Sequence, residues 1–339
     1  MHGGQPSPGH RGSPAHDMID HDEAGPIDSG AGFSRNELAS LLSPGKRVNV
    51  PKLAAQESRP ARKPKLGQHF LTSESAVSGI IEALGDLQQR TVLEIGPGRG
   101  VLTNHLVKRA RRVIAIEFDR VLAAQLRMKF ALHPNIEIIE GDFLAIDLAV
   151  LFGPKPGASR PGLTLKPEPV RVVGNLPYYI TSEILLHLFE ARQCFDSMVL
   201  MVQKEVAQRL AASPGSRDYG LLSATAQLYS KIEKLFDVPP GAFAPPPKVY
   251  SSVVHLTMEA QLEKLNVPEE GFIDFLKLSF GQKRKTLWNN LKTKYPERAL
   301  RAALEEAGVK AAVRAETLAL EKSAAIFRQL TSANGSAPK

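Results

Sequence analysis

The chain has 339 residues, 43% of them hydrophobic, and a formal net charge of +8 at pH 7. At roughly 150 residues per domain, this length predicts about two domains, each able to bury a core. Its single cysteine, Cys194, excludes an internal disulfide and any zinc or iron–sulfur site built from several cysteines. No apolar run approaches the ~18 residues that a membrane helix needs. We therefore expect a cytoplasmic protein that binds no membrane and no metal, and whose positive charge suits a phosphate-bearing partner.

The N-terminal segment differs in composition from the rest of the chain. Residues 1–60 hold eight glycines, seven prolines and one aromatic residue, Phe33. Because so little apolar surface cannot offset the entropy lost on ordering, we expect residues 1–61 to form a disordered tail. A short helix over Ser34–Leu42 remains open. An organelle transit peptide is an alternative, but such peptides avoid acids and this segment has seven.

From about residue 65, short runs rich in valine and isoleucine alternate with segments of helical spacing. This alternation predicts a parallel sheet covered by helices. The predicted strands are Val92–Gly96, Val113–Glu117, Ile136–Glu140, Val170–Gly174, Met198–Val202, Ile232–Val238 and Tyr250–Met258. The predicted helices between them include Leu102–Ala110, Arg120–Phe130 and Ser182–Ala191.

After Glu259 the strand signals stop, which predicts a small all-α second domain. Its expected helices are Phe272–Phe280, Arg284–Leu291, Ala299–Ala307 and Ala315–Leu330. The segment Phe152–Pro169 is rich in proline and glycine and predicts an irregular surface loop. The expected organisation is a tail over 1–61, an α/β domain over 62–259, a helical domain over 260–331 and a tail over 332–339.

Three features predict a nucleotide-type site at the carboxyl ends of the strands. The first strand ends in a glycine-rich turn that begins at Gly96, where the backbone can approach a ligand closely. The second strand ends in Glu117, whose carboxylate can accept both hydroxyls of a ribose. The third is followed by Asp142, beside the expected adenine position. A plain turn at Gly96 and a capping role for Asp142 are the alternatives, but the three features occur in the right order.

This order of features resembles the class I methyltransferases that use S-adenosylmethionine. The resemblance implies a Rossmann-like sheet with helices on both faces. The fourth strand ends in the sequence Asn175-Leu176-Pro177-Tyr178, which is similar to the motif of methyltransferases that modify exocyclic amines.

The chemistry of an aromatic amine explains these residue types. The lone pair of an adenine amino nitrogen is delocalised into the ring, so the nitrogen is a poor nucleophile. The amide oxygen of Asn175 and a main-chain carbonyl near Leu176 and Pro177 can accept its two N–H groups and stabilise the charge that develops on it. Tyr178 can stack on the flipped base. Methyl transfer is then an in-line displacement that needs no strong base, metal or covalent intermediate.

Further sequence blocks occur in order and narrow the resemblance. They are Leu66–Leu71, Gln203–Glu205, Tyr219–Ser223, Phe243–Ser251 and Phe280–Asn290. Together they closely resemble the bacterial small-subunit ribosomal RNA adenine dimethyltransferases over roughly residues 62–330.

The resemblance implies the substrate, the product and the cofactor contacts. It implies that S-adenosylmethionine donates two methyl groups to each of two adjacent adenosines in the 3′-terminal hairpin of the RNA. The partner would be the assembling small ribosomal subunit, and the protein a monomer. The implied cofactor-binding positions are His69, Leu71, Gly96, Glu117, Asp142 and Asn175. His69 stands where many family members have asparagine, and either side chain can hydrogen-bond the methionine end of the cofactor.

A basic cluster suggests where RNA binds. Between Phe275 and Lys294 there are six basic residues and no acidic residue. We predict that Lys283, Arg284 and Lys285 contact phosphates. A merely solvated helix face is the alternative. Phe243, beside the proline run, is predicted to grip the flipped adenine opposite Tyr178.

Two other functions remain open. Methylation of large-subunit rRNA is the nearest enzymatic alternative, but the related resistance enzymes typically have isoleucine where this chain has Leu176. A binding protein that has lost activity is the non-enzymatic alternative. Loss of activity would show as decay of Glu117, Asp142 or Asn175, and all three are present.

Overall fold

The computed structural model describes residues 68–153, 170–259 and 261–335. The predicted tail over residues 1–61 and nearly all of the predicted loop over Phe152–Pro169 lie outside these ranges. The strands are β1 (Phe70–Leu71), β2 (Thr91–Ile95), β3 (Arg112–Glu117), β4 (Ile136–Glu140), β5 (Val170–Asn175), β6 (Phe195–Gln203), β7 (Ser230–Val238), β8 (Phe243–Ala244) and β9 (Ser251–Met258). The helices are α1 (Glu74–Ala83), α2 (Thr103–Arg109), α3 (Arg120–Lys129), α4 (Leu148–Phe152), α5 (Thr181–Glu190), α6 (Lys204–Leu210), α7 (Leu221–Tyr229), α8 (Gln261–Leu265), α9 (Glu269–Phe280), α10 (Leu287–Leu291), α11 (Glu297–Glu306) and α12 (Leu320–Gly335).

Seven strands form one sheet in the order β4-β3-β2-β5-β6-β9-β7. Neighbours from β4 to β6 are parallel, whereas β9 runs antiparallel to both β6 and β7. Every residue of β2 is buried, which requires layers on both faces of the sheet. The predicted α/β architecture is therefore confirmed.

The strand order reverses between β2 and β5. The chain first moves outward from β2 through β3 to β4, and later returns to lie beside β2 as β5. Open parallel sheets bind ligands at such a reversal, in the crevice outside the carboxyl ends of the strands. The predicted site residues on β2, β3 and β5 flank this crevice.

A second, two-stranded sheet joins the segment before α1 to the loop after β7. Strand β1 pairs antiparallel with β8, and Leu71 lies opposite Phe243. The hydroxyl of Thr72 also donates to the carbonyl of Ala242, at 3.0 Å. These contacts fix the position of His69, which immediately precedes β1.

After β9 ends at Met258, every described element is helical, as predicted. The rings of Phe272 and Phe275 on α9 lie 5.5 and 5.6 Å from the ring of Phe327 on α12, so aromatic side chains form the core of this part. The domain boundary between residues 259 and 260 remains a prediction. Within the described ranges, no helix has the length and apolarity that crossing a bilayer requires.

Two predicted helices differ from the structure. The predicted helix Arg284–Leu291 begins only at Leu287, because the hydroxyl of Thr286 accepts the N–H of Asn289 at 3.3 Å and caps the first turn. The predicted helix Ala315–Leu330 is divided into a 3₁₀ turn over Ala315–Thr317 and helix α12. Helix α12 extends to Gly335, four residues into the segment predicted as a tail over 332–339.

Candidate active site

The glycine-rich turn after β2 combines space for a ligand with close packing of the sheet against α3. Gly96, Gly98 and Gly100 all have positive φ angles, of 63°, 58° and 74°. A methyl group at Gly96 would meet no atom within 4 Å, whereas one at Gly100 would lie 2.8 Å from Leu126 and 3.0 Å from Phe130. The turn is therefore open at its first glycine and packed at its last.

This contrast predicts different effects of two alanine substitutions. Gly96→Ala should cost only about 1 kcal/mol of stability for the left-handed backbone. Its methyl group should nevertheless weaken binding of the predicted cofactor by about tenfold. Gly100→Ala adds overpacking and should cost about 2–4 kcal/mol. Urea unfolding and calorimetric titration with S-adenosylmethionine measure both effects. Equal stabilities of the two variants would contradict the packing argument.

Glu117 lies at the end of β3 with only 4% of its surface exposed. Its carboxylate accepts the N–H of Gly98 and the N–H of Asp119, both at 2.9 Å. Burial raises its pKa, and the two main-chain hydrogen bonds oppose that shift. A carboxylate has about four acceptor positions, so positions remain for the hydroxyls of a ribose. Glu117 therefore anchors the glycine turn and still presents acceptors to a ligand.

Sequence reasoning missed a second carboxylate, Glu94, which lies inside β2 and is 1% exposed. The hydroxyl of Thr103 donates to it at 2.7 Å. Burial raises the pKa of Glu94 to about 7. The available signal was an acid inside an otherwise apolar strand. Glu94 joins the strand to the start of α2 beneath the glycine turn.

The raised pKa of Glu94 predicts a pH-dependent stability. The folded protein keeps this proton between about pH 4.5 and about pH 7, where the unfolded chain has released it, so Glu94 reduces stability as the pH rises through that window. Glu94→Gln removes this titration. The stability of the variant relative to wild type should therefore increase by roughly 2–3 kcal/mol between about pH 5 and about pH 8. Urea unfolding at both pH values tests this. A difference that does not change with pH would contradict it.

Asp142 lies just beyond the end of β4, and its side chain is exposed. Its carboxylate accepts the N–H of Leu144 at 3.0 Å and caps a short 3₁₀ turn. The N–H of Gly141 donates to the carbonyl of Glu117 at 2.9 Å, so the ends of β3 and β4 stay together. Asp142 therefore caps a turn and also lies on the same edge of the sheet as Glu117.

Asn175 is the last residue of β5, and its side chain is held by the segment before β1. Its Nδ2 donates to the main-chain carbonyl of His69 at 3.0 Å. Among the described residues, no group donates to its Oδ1. The orientation of the amide thus leaves the acceptor atom for an incoming N–H group.

Two main-chain carbonyls after Asn175, those of Leu176 and Pro177, are candidates to accept the second N–H of a substrate amine. The carbonyl of Pro177 already accepts the hydroxyl of Thr181 at 2.9 Å and the N–H of Ile180 at 3.3 Å. No described group donates to the carbonyl of Leu176, whose own N–H donates to Met201 at 3.0 Å. Of these two carbonyls, that of Leu176 is therefore the one without a described donor, in a residue that is 1% exposed.

Tyr178 and His69 form a stacked pair beside Asn175. Their ring centroids are 6.0 Å apart, with 25° between the ring planes. The hydroxyl of Tyr178 hydrogen-bonds that of Ser251 at 2.6 Å, and Nδ1 of His69 hydrogen-bonds the carbonyl of Pro245 at 2.8 Å. Burial raises the pKa of Tyr178. Both rings are thus held at the mouth of the crevice.

The structure places Phe243, which is predicted to grip the flipped adenine, inside the protein. Its side chain is 4% exposed and belongs to the hydrophobic core, as does that of Leu71 at 5%. Pairing of β1 with β8 turns both side chains inward. The ring of Phe243 is therefore not exposed for stacking in this conformation, and its role stays a prediction. Leu71 can reach a ligand only through its backbone.

The structure also corrects the setting of the predicted RNA-binding residues. Lys283, Arg284 and Lys285 are exposed, but they lie in the turn before α10 rather than on a helix. The ammonium group of Lys283 donates to the carbonyl of Arg217 at 3.4 Å. It lines a cavity of about 370 Å³ with Arg209 and Arg217. The basic turn therefore packs beside the segment that follows β6 in the chain.

The fold and the site together define a class I methyltransferase: a mostly parallel seven-stranded sheet with a glycine turn, a carboxylate and an amide at successive strand ends. The ribosomal RNA adenine dimethylase family matches residues 60–332. The chain belongs to this family.

Relatives and solved structures agree with this assignment. The chain is 57% identical over 282 residues to ribosomal RNA small subunit methyltransferase A of Koribacter versatilis, covering 83% of this chain and 99% of the relative. It is 54% identical over 269 residues to the protein of that name from Acidobacterium capsulatum, covering 79% and 91%.

Two solved structures share the fold over most of their length. A dimethyladenosine transferase from Plasmodium falciparum has a TM-score of 0.66 at 25% identity, with 78% of this chain and 98% of that chain covered. The 23S rRNA methyltransferase ErmE has a TM-score of 0.59 at 30% identity, with 77% and 99% covered.

Proposed function

We propose that this protein transfers methyl groups from S-adenosylmethionine to the N6 amines of two adjacent adenosines in the 3′-terminal hairpin of small-subunit ribosomal RNA. Membership of the ribosomal RNA adenine dimethylase family supports the reaction. The names of the two relatives support the small-subunit substrate. The observation that carries the proposal is the pair of acceptors after β5, Oδ1 of Asn175 and the carbonyl of Leu176.

The crevice fits the cofactor at three points. Space is open at Gly96, where a side chain would otherwise project. Glu117 retains acceptor positions for the ribose hydroxyls, and Asp142 lies at the next strand end. S-adenosylmethionine supplies an electrophilic methyl group on a sulfonium sulfur. His69 acts mainly through its carbonyl, which orients Asn175, and through its ring, which packs against Tyr178.

The residues after β5 hold the target amine. Asn175 and Leu176 each accept one N–H of the adenine amino group, which fixes the nitrogen and stabilises the positive charge that develops on it. After the first transfer the amine keeps one N–H, so one acceptor still orients it for the second. Tyr178, held by Ser251, stacks on the base. Pro177 fixes the turn that places these groups together.

The rest of the chain brings the RNA to this site. Residues 62–259 form the catalytic domain in this proposal, and residues 260–331 bind RNA. The basic turn Lys283–Lys285 contacts phosphates, which predicts binding that weakens as salt increases. The protein acts as a monomer in the cytoplasm on the assembling small subunit.

Labelled methyl transfer to unmodified ribosomal subunits tests the substrate. Methyl-labelled S-adenosylmethionine should label small-subunit RNA and leave large-subunit RNA unlabelled. Label confined to large-subunit RNA would contradict the proposed substrate but not the proposed methyl transfer. The structural neighbour ErmE, a 23S rRNA methyltransferase, would then be the better model for the substrate. Tight binding to small subunits without label would instead favour a binding protein.

A further inference from the structure

We propose that Tyr250, backed by Lys204, forms a subsite that stacks the base of the nucleotide next to the target adenosine. This inference rests on the proposed function, because it concerns the RNA strand that enters the same site. Sequence reasoning included Tyr250 only as part of a strand and a motif. Its side chain is 51% exposed, unlike the core residues that follow it in β9.

The sheet register places Tyr250 at the same edge as Asn175. Asn175 pairs with Met201 of β6, and Gln203 of β6 pairs with Ser251 of β9. Val253 of β9 is the residue level with Asn175, two strand spacings or about 10 Å away, and Tyr250 lies three residues further along the strand. Tyr250 therefore lies roughly 14 Å from the end of β5. Ser251 further connects the two places, because it hydrogen-bonds the hydroxyl of Tyr178 at 2.6 Å.

One side of the Tyr250 ring is supported by a fixed cation. The ammonium group of Lys204 lies 5.6 Å from the ring centroid. It also forms an ion pair with Asp237 at 2.9 Å, and the N–H of Lys204 donates to the carbonyl of Tyr250 at 3.0 Å. Asp237 also pairs with Lys234 at 2.8 Å. Lys204 is therefore held in place beside the ring, and Tyr250 as a whole stays 51% exposed.

Base flipping creates a need for a stacking surface such as the ring of Tyr250. A base that enters the pocket beside Tyr178 leaves its stack, and its neighbour on the strand loses a stacking partner. An exposed aromatic ring near the pocket can replace that partner, while an adjacent ammonium group attracts the phosphate between the two nucleotides. The subsite thus recognises a nucleobase by its flat face. It is suited to the second of two adjacent adenosines.

Steady-state methylation tests the subsite. Tyr250→Ala should raise the KM for small subunits by about 5- to 100-fold, with kcat and cofactor affinity unchanged. Tyr250→Phe keeps the ring and should behave as wild type. Leu132→Ala is the matched control, because Leu132 is 94% exposed and lies before β4, at the opposite edge of the sheet. An unchanged KM for Tyr250→Ala, or a loss of kcat alone, would overturn the proposal.

A fluorescence measurement tests the subsite without requiring methylation. Tyr250→Trp places an indole at the subsite, and wild type provides the background signal of Trp288. A short oligoadenylate should quench the added fluorescence, whereas polyphosphate, which has no bases, should not. Quenching by both ligands or by neither would overturn base stacking. Failure of wild type to methylate any RNA would count against the proposed function, not against the subsite.

Discussion

Asn175→Ala should lower kcat for methyl transfer by about 100- to 1000-fold while small-subunit binding stays within about twofold of wild type. The substitution removes Oδ1, which accepts an amine N–H in the transition state. It also removes the donor to the carbonyl of His69 at 3.0 Å, so some loosening of that segment is expected. Rapid-quench measurements with saturating cofactor and RNA give the rate of the chemical step.

Asn289→Ala is the matched control for this variant. Asn289 lies on α10, outside the proposed catalytic domain over residues 62–259, so its side chain takes no part in methyl transfer. Its kcat should match wild type. An Asn175→Ala variant that keeps more than about a tenth of wild-type kcat would show that the amide does not stabilise the transition state.

Glu117→Ala should weaken binding of S-adenosylmethionine by about 100-fold or more. A hydrogen bond to a charged group contributes about 1.5–3 kcal/mol, and the carboxylate can receive more than one from the ribose. In wild type the carboxylate accepts the N–H groups of Gly98 and Asp119, both at 2.9 Å, and the variant leaves these two donors without that partner. Isothermal titration calorimetry measures the dissociation constant directly.

Two further variants test whether the ionised carboxylate of Glu117 itself binds the cofactor. One removes a nearby acid as a control, and the other keeps the shape of Glu117 without its charge. Glu140→Ala removes an exposed acid from the end of β4, where it pairs with Arg127 at 3.3 Å, and should bind cofactor as wild type does. Because burial raises the pKa of Glu117, wild-type affinity should fall as acidification protonates this carboxylate, whereas Glu117→Gln should lack that component. Equal pH dependence in the two proteins would contradict a role for the ionised carboxylate.

The parts of the site that local patterns specify could be predicted from the sequence. A glycine turn, an acid and an amide each follow an apolar run, and parallel strands bring their carboxyl ends to one edge. Gly96, Glu117 and Asn175 therefore lie where the sequence pattern indicates. The carboxylate of Glu117 and the amide of Asn175 lie at the ends of β3 and β5, and their roles stay predictions.

The parts that depend on distant contacts or on the exact ends of helices and strands could not be predicted. The burial of Phe243 follows from pairing of β8 with β1, across more than 170 residues of chain. Helix α10 begins after the cap at Thr286, so Lys283–Lys285 lie in the preceding turn. The helical spacing of the sequence is similar for a start at Arg284 and for a start at Leu287, so it does not decide between them. The exposed ring of Tyr250 depends on where β9 begins, and strand ends are poorly defined by periodicity.

Mapping the methylated nucleotides shows directly which bases of the ribosomal RNA this protein modifies. Small subunits from a strain that lacks the modification would be incubated with the protein and S-adenosylmethionine, and their RNA digested and analysed by mass spectrometry. The account predicts N6,N6-dimethyladenosine at two adjacent positions of the 3′-terminal hairpin, with both lost when Asn175→Ala replaces wild type and retained with Asn289→Ala. Methyl groups at any other base, or the same product with Asn175→Ala at an undiminished rate, would contradict it.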